Sequence, residues 1–167
     1  VAPWHILAIT FTNKAAKEMQ ARLETLLGTC ANDIWVSTFH SMCVRILRRD
    51  IEKLGYTRSF TIYDEDDSLS LVKEGLKELD LSDKLYPPKE VRYIISDAKN
   101  KMQTPDEYLR SAQSEFRARK IRDVYAWYEK RLLANNALDF DDLLLKTLVL
   151  FSQHPPVLEY YREKFQY

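Results

Sequence analysis

The chain has 167 residues, is 46% hydrophobic, and carries 25 basic and 25 acidic side chains, so its formal net charge is zero. That length supports one core or two small ones, and the charge balance excludes the overall basic character common among nucleic-acid binders. Cys30 and Cys43 are too few for a disulfide framework or a cysteine metal site, and no apolar run approaches membrane length.

Charge is uneven along the chain: residues 1–60 carry +3, 61–110 carry −4, 111–136 carry +3 and 137–167 carry −2. Such mild asymmetries are usually solvated faces. With no signal peptide in view, a reducing, cytoplasmic setting is the default. Val1 runs almost directly into a predicted strand, and Tyr167 follows a helical pattern without a cap. Both ends look cut, so the chain reads as a piece of a larger protein.

The spacing predicts a buried strand over 4–10. A helix follows, N-capped by Asn13, with Ala15, Ala16, Met19, Leu23, Leu26 and Leu27 on one face and Gly28 closing it. A second short strand covers 34–36. Thr38 then caps a helix with Cys43, Ile46, Leu47, Ile51 and Leu54 aligned. Two strand–loop–helix joints in succession imply a parallel α/β sheet, where ligands sit at the carboxyl ends of strands. Those ends supply Thr10, Phe11, Thr12 and Asn13, then Thr38, Phe39, His40 and Ser41.

Residues 60–63 read as a short extended piece, and from Asp64 onward the pattern is helical throughout. Asp64 and Asp67 form an acidic capping box. Pro87-Pro88 opens the next helix, and Thr104-Pro105 starts a short turn. The longest helix spans 114–135, with Tyr125 and Tyr128 inward. Arg117, Arg119, Lys120 and Arg122 form a basic run on it, read first as a solvated face. Asn135-Asn136 breaks this helix, and Asp139 caps one that ends near Ser152. The organisation is an α/β start at 1–60, a helical block at 61–136 and a helical return at 137–167.

Three segments in order now carry a resemblance. Ala8-Ile-Thr-Phe-Thr-Asn-Lys-Ala-Ala-Lys-Glu-Met19 resembles motif Ia of superfamily 1 DNA helicases of the UvrD/Rep/PcrA type. Trp35-Val-Ser-Thr-Phe-His-Ser-Met42 resembles their motif Ib, and Asn136-Ala-Leu-Asp-Phe-Asp-Asp-Leu-Leu144 their motif Id. The resemblance covers essentially the whole chain. It implies a mainly α fold with a small α/β part: an incomplete P-loop, RecA-like motor domain interrupted by an all-helical insertion. The whole protein would be an ATP-driven translocase unwinding DNA 3′ to 5′. Its partners would be single-stranded and forked DNA and the remaining helicase domains, with no membrane. The helicase part of a RecB/AddA-type nuclease-helicase and a non-catalytic helical interaction module are the rival readings. Open sheet edges offer a route to dimers.

ATP chemistry needs a glycine-rich phosphate cradle and a metal carboxylate. The chain has three glycines, Gly28, Gly55 and Gly75, and none precedes Lys-Ser or Lys-Thr. ATP and Mg are therefore expected of the parent protein and not of these residues, which should not hydrolyse ATP alone. The Asp-Phe-Asp-Asp of 139–142 is read as a helix start and not as the end of an apolar Walker B strand. Asp139, Asp141 and Asp142 also lack the glycine turn and distal Glu of a calcium loop.

For Phe11 the plain alternative is a core aromatic; the resemblance sets it against a DNA base, where stacking needs no sequence. Thr12, Asn13 and Lys14 sit where a helix N-terminus meets phosphate; the plain alternative is capping by Asn13, and both can hold. Thr38, Phe39, His40 and Ser41 form the second candidate DNA contact, and His40 has no acid partner or nucleophile elbow in the sequence.

Overall fold

Pro3 delays the first strand. With φ fixed and no N–H to give a ladder, it opens a 3-10 turn over Pro3–His5, and strand β1 covers only Leu7–Thr10 in the computed structural model, which describes residues 1–167. The predicted strand over 4–10 is therefore shortened from its front. Two units result, Val1–Leu54 with Lys146–Tyr167 and Gly55–Leu145. Their joints lie at 54/55 and 145/146, where the sequence pattern placed 60/61 and 136/137.

In the first unit β1 pairs in parallel with β2 (Trp35–Thr38), in the register Leu7↔Trp35 through Thr10↔Thr38. Tyr167 lies along β1: the Leu7 N–H donates to the Tyr167 carbonyl at 2.9 Å and the Tyr167 N–H donates to the His5 carbonyl at 3.2 Å. That alternation is the hydrogen-bond pattern of a parallel pair. Helices α1 (Asn13–Leu27) and α2 (Phe39–Asp50) follow the two strands. On α2, Cys43, Ile46 and Leu47 are buried as their spacing predicts.

The apolar face of α1 is covered only in part. Leu26 is 78% exposed and no residue of α1 is fully buried. A helix of that length runs about 22 Å, whereas a strand of four residues spans about 13 Å. The last turn of α1 therefore overhangs the sheet that its first turns pack on. Helix α7 (Phe140–Gln153) contributes its end to this unit, and α8 (Pro155–Lys164) completes it, with Trp35 against Phe165 at 5.1 Å between ring centroids.

The second unit is built on α3 (Glu65–Glu78), α4 (Pro88–Asn100), α5 (Pro105–Ser111) and α6 (Glu115–Ala134). The predicted starts hold: Asp64 and Asp67 exchange their cap bonds at 2.8 and 3.1 Å, and Thr104 and Glu107 form a second box. Helices α3 and α6 approach at Gly75, where an added Cβ would stand 2.6 Å from the Trp127 ring. The core between the helices holds Val72, Leu76, Val91, Ile95, Val124 and Tyr128, all shielded from water.

One expectation fails here. The chain is not helical throughout after Asp64, because β4 (Ala137–Asp139) pairs in parallel with β3 (Thr61–Tyr63). A strand this short has no readable period, and its pairing partner lies far back in the sequence. Asn136 turns the chain into it at φ 49°, a region asparagine tolerates. Its Oδ1 accepts from the Thr57 N–H at 2.9 Å, which fixes the turn.

Candidate nucleic-acid interface

The first unit brings both predicted segments to one edge. Because Thr10 and Thr38 are register partners on adjacent parallel strands, the chain leaves β1 and β2 side by side. Each strand runs straight into a helix through a threonine. Thr12, extended at φ −122° and ψ 148°, accepts the Ala15 N–H on its hydroxyl at 3.1 Å. Thr38 accepts the Ser41 N–H at 3.2 Å and donates to the Ser41 hydroxyl at 2.9 Å.

The first cap corrects the sequence reading. Asn13 is the first helical residue and Thr12 is the N-cap. Both residue types cap well, and the backbone decides: Thr12 is the last residue with extended dihedrals. The cap leaves the first-turn amides of Asn13 and Lys14 without an intrahelical acceptor.

Phe11 is 89% exposed. It is not the core aromatic that composition alone favours. Burying such a side chain would stabilise the fold by about 1.5–3 kcal/mol, and this site forgoes it. Its neighbour is Phe39, 38% exposed, with ring centroids 5.4 Å apart and planes inclined at 38°. Thr12, Asn13, Lys14, His40 and Ser41 are exposed around the pair, while Thr38 is buried beneath it. The result is an aromatic platform, wet on its outer face, flanked by a lysine, hydroxyls and two helix N-termini.

The buried charged side chains lie in the second unit, and the sequence reading missed them. Lys99, fully buried on α4, places Nζ 2.9 Å from Asp139 Oδ2, 3.0 Å from Asp142 Oδ1 and 2.5 Å from Glu129 Oε1. Burial pushes the ammonium down, but Asp142, Asp139 and Glu129 outweigh it and hold Lys99 well above the ordinary lysine value. Burial likewise works against the Asp139 carboxylate, yet Lys99 and Arg92 keep it below the usual range. Arg92 also reaches Asp141 at 3.2 Å.

Asp139 thus ends strand β4 and caps α7 together, donating its N–H to Asp142 Oδ2 at 3.2 Å and accepting the Asp142 N–H at 2.8 Å. The expected helix start is present, but the expected contrast with a strand end is not. All three carboxylates face Lys99 or Arg92, which makes them unsuited to a divalent ion. The signal was in the sequence: Lys99 falls four residues after Ile95 and eight after Val91, on the apolar stripe of α4.

The three arginines of the basic run of α6 are paired. Arg117 meets Glu90 at 2.8 Å, Arg122 meets Asp106 at 3.3 Å, and Arg119 meets Glu115.

The sequence model of the UvrD/REP helicase N-terminal domain family matches residues 1–167. Over 167 residues the chain is 54% identical to the ATP-dependent DNA helicase PcrA of Bacillus subtilis strain 168, covering 100% of this chain and 22% of that protein. It is 50% identical to the ATP-dependent DNA helicase PcrA of Staphylococcus epidermidis strain ATCC 12228 and 47% identical to that of Staphylococcus aureus strain Mu50, covering 23% of each. The chain spans less than a quarter of the length of these curated relatives.

Proposed function

The chain belongs to the UvrD/REP helicase N-terminal domain family, and on that premise we propose that it forms part of the single-stranded DNA track of an ATP-dependent 3′–5′ DNA helicase. The observation that carries this reading is the exposed Phe11–Phe39 pair at the carboxyl ends of two adjacent parallel strands. A base stacks on either ring without being read, as a motor moving over any sequence requires. The free amides at the start of α1, with Lys14, Asn13, Thr12, His40 and Ser41, suit the sugar-phosphate backbone. Thr38 supports them from below by fixing the direction in which Phe39 leaves the strand.

The reading gives residues 1–167 the strand and not the nucleotide. They hold no Gly-Lys-Ser or Gly-Lys-Thr, and the buried carboxylates of 139–142 do not fit a metal. ATP and Mg belong to other residues of the intact protein, as do the further helicase domains that would meet forked DNA. No helix is long and apolar enough to cross a membrane, and a motor on the chromosome in replication or repair would act in the cytoplasm.

Binding of the intact protein to oligothymidylate, followed by fluorescence anisotropy over a salt series, tests this. Phe11→Ala should weaken binding by about 1–3 kcal/mol without changing the salt slope, since no charge is removed. Lys14→Ala should reduce that slope by about 0.7. Unchanged affinity in both variants would sink the assignment and favour a non-catalytic interaction module.

A further inference from the structure

At the other end of the same unit, cations and rings alternate. The Arg45 guanidinium sits 4.3 Å from the Trp35 ring centroid. The Lys164 ammonium lies 5.8 Å from Trp35 and 5.9 Å from Tyr160, and the Arg49 guanidinium covers Tyr160 at 3.5 Å. The order Arg45, Trp35, Lys164, Tyr160, Arg49 joins β2, α2 and α8. Trp35 opens β2 whereas Thr38 closes it, so this ladder and the Phe11–Phe39 platform occupy opposite ends of the strand.

We propose that this ladder docks an acidic segment of a partner protein. Two of its three cations, Arg45 and Lys164, are unanswered by any carboxylate of the chain. Arg92, Arg117 and Arg131 each have a carboxylate within 3.5 Å. Arg45 and Lys164 have none in ion-pair range, and Arg49 has Asp50 at 3.5 Å. A guanidinium lying over a ring keeps its N–H edge directed outward, the geometry that takes a carboxylate bidentately. The rings hold the cations still, so little side-chain freedom is lost on binding.

The same arrangement disfavours single-stranded nucleic acid. A base needs an open aromatic face, and here cations already lie over the Trp35 and Tyr160 rings. Tryptophan, tyrosine and arginine together are instead the residues over-represented at the energetic centres of protein interfaces. Tyr160, 41% exposed, keeps the ladder at the surface where an acidic partner can reach it.

The probe is a fluorescein-labelled peptide of repeating Asp-Glu, titrated with the intact protein, with oligothymidylate as a second probe. Arg45→Glu and Lys164→Glu, on separate helices, should each weaken peptide binding about tenfold or more. Arg45→Lys should retain part of it, and Phe11→Ala should leave it unchanged. Near-ultraviolet circular dichroism checks folding, and if Arg45→Glu is misfolded the Lys164→Glu variant decides. Absence of peptide binding, or equal binding in the charge-reversed variants, overturns the proposal. So does a result in which those variants weaken oligothymidylate binding alone, which would give the ladder to nucleic acid.

Discussion

Lys99 Nζ lies 2.9 Å from Asp139 Oδ2 with both side chains wholly shielded from solvent. The pair links α4 to the point where β4 becomes α7. Its neighbour Tyr128 donates its hydroxyl to the same Asp139 oxygen at 2.8 Å. The ammonium has three N–H donors and three carboxylates around it, so its hydrogen-bonding capacity is matched. Removing it leaves two buried carboxylates facing each other in the capping box. Lys99→Met should therefore destabilise the fold by about 3–5 kcal/mol, read as a lowered urea midpoint. Combining it with Asp139→Asn should cost less than the sum of the two single changes. A loss below about 1 kcal/mol, the range of surface pairs, would mean that the centre is open to water in solution.

The same centre sets a pH window. The Asp139 carboxyl titrates below its ordinary value in the folded chain, because Lys99 and Arg92 overcome the opposing effect of burial. Its stabilisation is present above the unfolded value, about 3.9, and is lost as pH falls through the lower folded one. Lys99 is raised, so its contribution is full below about 10.4 and is lost as pH climbs through the folded value. Tyr128 is raised too, chiefly by burial, and adds to the alkaline loss. Stability from this centre should be flat between these limits and fall on both sides. Asp139→Asn should shallow the acid limb, and an acid limb identical to the parent's would assign it to other carboxylates.

Gly75 gives a prediction in which two effects oppose. Glycine inside a helix is disfavoured relative to alanine by about 0.5–1 kcal/mol, so Gly75→Ala on an exposed face would stabilise α3. Here the new methyl would meet Trp127 at 2.6 Å, and overpacking of that kind costs about 1–3 kcal/mol. The net change should be a loss, relieved by Trp127→Leu in the same chain. A thermal midpoint that rises in Gly75→Ala alone would show that the indole moves aside freely.

What could be read in advance follows from range. Caps and helix faces are local, so Asp64 with Asp67 and the helix start at Thr104-Pro105 were visible in the sequence. Phe11 and Phe39 were visible one at a time, as residues just past apolar runs. Their ring contact was not, because it exists only once β1 and β2 pair in register. Strand β4 was hidden for the same reason, since its partner β3 lies across the whole helical block. Lys99 was overlooked because a lysine beside Asn100 and Lys101 reads as solvated. The apolar stripe of α4 was the stronger indicator, and Asp139 supplied the countercharge that makes burial tolerable. The misplaced cap at Asn13 is a subtler case: Thr12 and Asn13 have similar side-chain preferences, and only the backbone distinguishes them.

Thr38 tests whether the platform depends on its support. Its hydroxyl holds both the N–H and the side chain of Ser41, and it immediately precedes Phe39. Thr38→Ala removes the cap and should cost about 1 kcal/mol of stability. Thr38→Ser keeps the hydroxyl and should restore most of it. If Phe39 is directed by this cap, Thr38→Ala also weakens binding to oligothymidylate while leaving the salt slope unchanged, because no phosphate contact is lost. Thr38→Ser should then recover affinity along with stability. Stability that falls while affinity stays constant would separate the two, leaving Phe11 to hold the base without help from Phe39.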